Sequence, residues 1–336
     1  MQEAEKSEEK SRLVKAYTAI VLARTLDKKI VVAQRQGRVG FYTPTMGQEA
    51  LQIGASMALT EKDLIYGYYR DLPMMLHRGV PMEVIINQIM GNSEDSALGR
   101  QMPSHFSDKK HNFMSVQSPV ATNLPVATGA AFTQKYRKTN SVVLATFGDG
   151  STSTPDFHAA MNMAAVFNLP VIFLCENNGW AISLPVEKQT VAEIWMKAAA
   201  YGMRGLRVNG NDVIETHEVT LEAVKRAREG KGPTLIDAVS FRMGPHSTSD
   251  DPSKYRSETV EEGSDRDPVV VTEKTLKSRG YIDDKLIESI KSRAQKIVDD
   301  KFEECAKIPP PEPKSAFEDV YGKSTWMLDE EVKDIL

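Results

Sequence analysis

The stretch SVVLATFGDGSTSTPDFHAAMNMAAVFNLPVIFLCENN, residues 141–178, decides the fold class of this chain. It contains two continuous apolar runs, SVVLATF and LPVIFLCEN, and such runs are typical of strands buried on both faces of a parallel sheet. Between them, Thr154 and Pro155 have the residue types of a helix N-cap and of a first helical position. The order strand, helix, strand with short connections predicts a βαβ unit within an α/β fold.

Both apolar runs end in polar signals: Gly148-Asp149-Gly150 follows the first and Asn177-Asn178 the second. The carboxyl ends of neighbouring parallel strands meet at the edge where open α/β sheets bind ligands. Asp149 offers a carboxylate oxygen and Asn178 an amide oxygen, which are hard ligands suited to Mg²⁺ or Ca²⁺. The flanking glycines let a phosphate approach the backbone, and the Ser151 amide can donate to an anion. Either signal alone is more often an ordinary turn, but together they predict a site for a metal and a diphosphate.

Helical patterns occur on both sides of this βαβ unit along the chain. Apolar spacing predicts a helix over residues 13–33 and two amphipathic helices around 270–279 and 283–307. We therefore expect an N-terminal helical segment (1–40), an α/β domain (41–265) and a C-terminal helical extension with a tail (266–336). Residues 91–122 read as one long loop, and a loop of that length inside a compact domain is often functional.

Composition narrows the class of protein. The chain has 336 residues, 41% of them hydrophobic, and a net charge of −4, which argues against binding nucleic acid as its main function. No apolar stretch is long enough to predict a membrane span. Two cysteines, Cys175 and Cys305, are too few for a disulfide framework. The acidic, polar N-terminus lacks the features of a signal or transit peptide, so we expect a cytoplasmic protein.

From about residue 13 to 322, the chain resembles the α subunits of thiamine-diphosphate-dependent 2-oxo acid dehydrogenases, and it is most similar to the branched-chain type. The resemblance implies the thiamine-diphosphate-binding fold, a parallel sheet flanked by helices with extra N- and C-terminal helices. It also implies decarboxylation of a 2-oxo acid on thiamine diphosphate and reductive acylation of a lipoyl group. Besides the stretch quoted above, the matching segments are GFYTPTMGQEA, YRD, SPVATNLPVATGAA, NNGWAIS, VEKQT, GKGPTLID and RMGPHSTSDDPSKYR.

Carried over residue by residue, the resemblance implies roles for particular side chains. Asp149 and Asn178 would bind Mg²⁺, with help from the backbone carbonyl of Trp180. In some relatives a loop also holds a monovalent cation such as K⁺, which here would involve Gln117, Pro119, Thr122 and Asn123. The residues that the resemblance implies for cofactor binding are Tyr69, Arg70, Ser118, Val120, Gly148, Gly150, Ser151, Arg242 and His246.

The histidine loop GPHSTSDD carries further implied roles. His246 matches the active-site histidine of the family, which assists substrate handling and acyl transfer to the lipoyl group. Ser247 occupies the position that is phosphorylated in mitochondrial relatives, although a serine here can equally serve to order the loop. Phe41 and Tyr42 are candidates for shaping the acyl pocket.

The resemblance also implies partners, because thiamine chemistry needs a glutamate that this family carries on a second domain. A chain of 336 residues has room for the diphosphate-binding domain only. Glu49 could stand in for the missing glutamate, but its position relative to the family pattern argues against that role. We therefore expect a β subunit in an α₂β₂ heterotetramer and a lipoyl-bearing acyltransferase in a multienzyme complex. Pyruvate or acetoin remains an alternative substrate. A transketolase-like carboligase half and a non-catalytic scaffold subunit remain alternative functions.

Overall fold

The computed structural model describes residues 2–335, and a five-stranded parallel sheet forms its centre. In β2 and β3 the register pairs Gly148 with Glu176, so the two predicted signals lie side by side at one edge. The predicted βαβ unit is thus confirmed. The strands, in spatial order, are β1 (Leu64–Tyr66), β2 (Val143–Gly148), β3 (Val171–Asn177), β7 (Thr234–Val239) and β6 (Arg204–Asn209).

Helices cover both faces of this sheet. Alternate residues of β2 point to opposite faces, so Leu144 belongs to one buried cluster and Val143 and Ala145 belong to another. The helices are α1 (Gln2–Arg35), α2 (Glu49–Met57), α3 (Leu72–Arg78), α4 (Met82–Met90), α5 (Asn123–Arg137), α6 (Pro155–Val166), α7 (Val213–Arg228), α8 (Pro268–Ser278), α9 (Asp284–Cys305) and α10 (Trp326–Ile335). Helices α1 to α4, α7 and α9 contribute to the first cluster, and α5 and α6 to the second.

Local sequence explains where α6 begins. Its N-cap is Thr154, whose side chain accepts a hydrogen bond from the Phe157 amide at 3.4 Å, and Pro155 is the first helical residue. This helix starts at the end of the site-bearing loop after β2. The loop itself is a short 3₁₀ helix, Asp149–Ser153.

Some elements differ from the sequence prediction. Residues Ile194–Tyr201 form a 3₁₀ helix, and its backbone packs directly on β6. A Cβ on Gly205 would lie 2.1 Å from the Trp195 carbonyl oxygen, which shows how close the two backbones are. The short α3, the terminal α10 and a two-stranded antiparallel hairpin, β4 (Trp180–Ala181) with β5 (Leu184–Pro185), were not predicted.

Both helical extensions pack on the α/β core. Arg24 of α1 is 4% exposed and forms ion pairs with Glu49 at 2.6 Å and with Asp267, the N-cap of α8, at 3.0 Å. Removing one partner of such a buried pair is strongly destabilising, so this cluster fixes α1 against α2 and α8.

Among the helices of residues 2–335, none combines the length and apolar character that a membrane span requires.

Candidate active site

A cavity of about 510 Å³ opens at the carboxyl ends of β2 and β3, where the sequence predicted a ligand site. Four loops and the β4 hairpin meet there, and each carries at least one residue that the resemblance singled out. The structure therefore brings together side chains that are up to 177 positions apart in sequence, such as Tyr69 and His246. Residues from the predicted set that line it are Tyr69, Arg70, Gln117, Ser118, Pro119, Val120, Asn123, Gly148, Asp149, Gly150, Ser151, Asn178, Trp180 and His246.

Asp149 has the environment of a cation ligand. It is 1% exposed, and its Oδ2 atom accepts a hydrogen bond from Gln189 at 3.2 Å. Its buried Oδ1 atom has no hydrogen-bond partner within residues 2–335. Burial raises the pKa of this carboxyl group to about 6. A buried carboxylate oxygen without a partner is costly, and a divalent cation would satisfy it.

The two other predicted metal ligands also have oxygen lone pairs to spare. The Asn178 Oδ1 atom accepts from the Trp180 amide at 3.3 Å, which leaves one lone pair. The Trp180 carbonyl accepts from Arg242 at 3.2 Å and likewise keeps one lone pair. Gly150 is required here because a Cβ would lie 2.8 Å from the Ala181 side chain. The donor set therefore fits Mg²⁺ chemically.

Two buried arginines give the site its positive charge. Arg70 donates to the His246 carbonyl at 3.2 Å, and its guanidinium lies 5.4 Å from the centre of the Tyr69 ring. Arg242 does not line the cavity but lies just behind it, donating to the carbonyls of Trp180 and Ile182. Burial and then the charge of Arg70 lower the pKa of Arg242. An anion in the cavity would relieve that repulsion, so the pair fits a diphosphate.

His246 is neutral in this environment. Its Nδ1 atom lies 3.3 Å from an Arg70 nitrogen, and because a guanidinium can only donate, Nδ1 accepts and the proton sits on Nε2. Burial, followed by the charges of Arg70 and Arg242, lowers its pKa to about 3. Asp250 accepts from the His246 backbone amide at 2.8 Å and fixes the loop.

Neighbours of the histidine loop lie outside the cavity lining. Ser247 is 7% exposed and accepts a hydrogen bond from the Ser249 amide at 3.3 Å. Tyr42 is buried and donates to Asp27 at 2.7 Å, so its hydroxyl group does not face the cavity. Its backbone carbonyl accepts from the Thr248 amide at 2.9 Å. The Phe41-Tyr42 segment therefore supports the histidine loop, and neither side chain is among the cavity-lining residues.

The loop before α5 is closed by its own contacts. The Thr122 hydroxyl donates to the Pro119 carbonyl at 2.8 Å, so two of the predicted K⁺ ligands are in contact with each other. Asn123 donates to the Thr146 carbonyl at 2.9 Å. His105 contacts the Ser118 hydroxyl through Nε2.

A buried polar cluster that was not predicted from the sequence lies behind Asn178. Glu176, in the otherwise apolar β3, accepts hydrogen bonds from Gln48, Gln52 and Tyr68. Burial and the neighbouring Asp71 raise the pKa of Glu176 well above its usual range. A charged residue at the end of a buried strand was the available signal, because such residues are rarely buried without partners.

Comparisons with known proteins agree with this geometry. Residues 17–314 match the family model described as "Dehydrogenase E1 component". The 2-oxoisovalerate dehydrogenase subunit alpha of Bacillus subtilis (strain 168) is 40% identical over 314 residues, covering 92% of this chain and 95% of the relative. The mitochondrial 2-oxoisovalerate dehydrogenase subunit alpha of Pan troglodytes is 39% identical over 315 residues, covering 93% of this chain and 71% of the relative.

These matches cover the sheet, the cavity and most of the helical extensions. The match of the family model begins within α1 and ends just beyond α9. This chain therefore belongs to the dehydrogenase E1 component family.

Proposed function

We propose that this chain is the α subunit of a branched-chain 2-oxo acid dehydrogenase, which decarboxylates its substrate on thiamine diphosphate and reductively acylates a lipoyl group. This proposal is supported by the buried Oδ1 atom of Asp149, which has no hydrogen-bond partner among residues 2–335 and lies in a cavity that Arg70 also lines. That site combines a cation ligand with a cationic anion-binding group. The relatives described above, named as 2-oxoisovalerate dehydrogenase α subunits, support the branched-chain substrate.

In this proposal, Asp149, Asn178 and the Trp180 carbonyl would hold Mg²⁺, and Arg70 and Arg242 would provide the positive charge for the diphosphate. Thiamine diphosphate supplies, when bound, a thiazolium ring that takes up the electron pair released when CO₂ leaves. Arg70 would bind the anion from the cavity wall, and Arg242 would add positive charge from behind it; backbone carbonyls already orient both guanidinium groups, so neither would need to reorganise. K⁺ binding by residues 117–123 is a secondary proposal, resting on the resemblance.

His246 acts in this proposal as a neutral hydrogen-bond donor. Its Nε2–H group is the one available to the cavity, since Nδ1 is occupied by Arg70. A neutral imidazole can donate to a substrate oxygen and can move that proton during acyl transfer. Burial, followed by the charges of Arg70 and Arg242, keeps the ring from taking a second proton near neutral pH.

A β subunit completes the site in this proposal. Glu49 cannot replace the glutamate that the family carries on its second domain. Its side chain is buried, forms an ion pair with Arg24 and accepts a hydrogen bond from the Gly47 amide at 2.9 Å. Apolar side chains at the cavity mouth, Val120 and Ile182, are 50% and 53% exposed and would be covered by a partner.

We further propose the α₂β₂ stoichiometry, a lipoyl acyltransferase partner and a cytoplasmic location. We also propose residues 41–265 as the diphosphate-binding domain, with 1–40 and 266–336 as helical additions.

The test is a decarboxylation assay with an artificial electron acceptor. The chain is co-expressed with a β subunit and supplied with thiamine diphosphate and Mg²⁺. Pyruvate, 2-oxobutyrate and the three branched-chain 2-oxo acids are compared by kcat/KM. We expect the branched-chain acids to rank first and the chain without β to be inactive. A pyruvate preference would overturn the substrate assignment, and turnover by the single chain would overturn the need for a partner.

A further inference from the structure

The buried polar cluster behind Asn178 has a consequence for the orientation of that residue. Glu176 Oε2 accepts from Gln48 at 2.9 Å, from Gln52 at 2.8 Å and from Tyr68 at 3.1 Å. Gln48, Gln52 and Glu176 are fully buried, so water does not compete for these contacts. In this cluster the nitrogen end of the Gln48 amide faces Glu176, whose Oε2 atom accepts from all three donors.

The other end of the Gln48 amide faces Asn178. Gln48 Oε1 accepts from Asn178 Nδ2 at 3.4 Å, and Asn178 is 4% exposed. If the Asn178 amide were flipped, its oxygen would face the Gln48 oxygen, and two acceptors would meet in a buried site. The same flip would also remove the contact between the Trp180 amide and Asn178 Oδ1. Gln48 thus disfavours the flipped orientation of the Asn178 amide, in which its nitrogen would face a cation.

We propose that Gln48 is a positioning residue that fixes the amide of Asn178 so that its oxygen, and not its nitrogen, faces a divalent cation. This inference rests on the metal assignment in the proposed function. Gln48 does not line the cavity, so it acts through Asn178 and has no contact with the metal or substrate itself. The orientation is transmitted from Glu176 to Gln48 to Asn178 by hydrogen bonds.

The test compares divalent-cation affinity in two backgrounds. Mn²⁺ replaces Mg²⁺, and its dissociation constant is measured by electron paramagnetic resonance on the α–β complex with thiamine diphosphate. Gln48→Met keeps the volume but removes both amide contacts. Because one neutral hydrogen bond contributes modestly, we expect Gln48→Met to weaken Mn²⁺ binding about three- to ten-fold. Gln52→Met removes a bond to the same Glu176 oxygen and one to the Arg70 carbonyl without touching Asn178, so it serves as the control for packing and for loss of the shared cluster.

The second background is Asn178→Asp. The aspartate side chain ends in two oxygens, so either orientation presents an oxygen to the cation. In this background we expect Gln48→Met to leave Mn²⁺ affinity unchanged or to improve it, since the Gln48 oxygen would then face a carboxylate. The positioning role of Gln48 would be wrong if Gln48→Met weakened Mn²⁺ binding equally in both backgrounds, or if Gln52→Met weakened it as much as Gln48→Met. Either result would leave the metal assignment itself intact. A wild-type complex that binds no Mn²⁺ would overturn both this inference and the metal assignment.

Discussion

Replacing Asp149 by asparagine should stabilise the cofactor-free protein while abolishing its metal-dependent binding of thiamine diphosphate. Burial raises the pKa of this carboxyl group from 3.8 to about 6. A difference of that size corresponds to about 3 kcal/mol of unfavourable free energy when the group is ionised. Asparagine keeps the shape and can still accept from Gln189, but it has no charge to bury.

The direction of the pH dependence follows from the raised pKa. Below the unfolded pKa the carboxyl group is protonated in both states, so wild type and Asp149→Asn should differ little there. As pH rises through about 6, the folded protein loses stability relative to the variant. At about 2.1 cal/mol/K per residue, a chain of 336 residues converts 3 kcal/mol into a Tm difference of about 4 °C at pH 8.

Scanning calorimetry of the cofactor-free protein, with calorimetric titration of thiamine diphosphate and Mg²⁺, measures both effects. Asp237→Asn is the matched control, since Asp237 is 1% exposed, has a raised pKa and lies outside the cavity. That variant should keep its cofactor affinity. A lower Tm for Asp149→Asn combined with unchanged cofactor affinity would refute the reasoning, because it would mean that the carboxylate is structural.

Three further predictions concern the remaining site residues. Arg70→Lys should weaken thiamine diphosphate binding by about ten-fold or more, since the planar guanidinium is lost, and calorimetry checks this. His246→Gln should keep cofactor binding but lose most lipoyl acylation. In the cofactor-free protein, ¹⁵N NMR should show the His246 ring neutral from pH 8 to pH 5, whereas titration near 6.5 would contradict the lowered pKa. Ser247→Glu should reduce cofactor affinity, because a carboxylate is costly to bury at this position and would displace the histidine loop, while Ser247→Ala should not.

Sequence patterns anticipated the parts of this protein that depend on local rules. The two apolar runs became β2 and β3, Thr154 became the N-cap of α6, and the polar signals after both strands lie at one edge of the sheet. These features follow from strand burial, capping chemistry and the geometry of parallel strands, all of which act over short stretches of chain. The small hairpin at Trp180 escaped prediction because two-residue strands leave no periodic pattern.

Arrangements that depend on long-range packing were decided only by the tertiary structure. The sequence by itself determined the fold class, the family and the identities of Asp149 and Asn178 as candidate ligands. It did not determine that Arg242 would lie behind the cavity, or that Gln48 would contact Asn178 across 130 positions. The first contact depends on where the segment after β7 meets the β4 hairpin, and the second on where the start of α2 meets the end of β3. No local pattern specifies them, because partners distant in sequence become neighbours only once the shared core has formed.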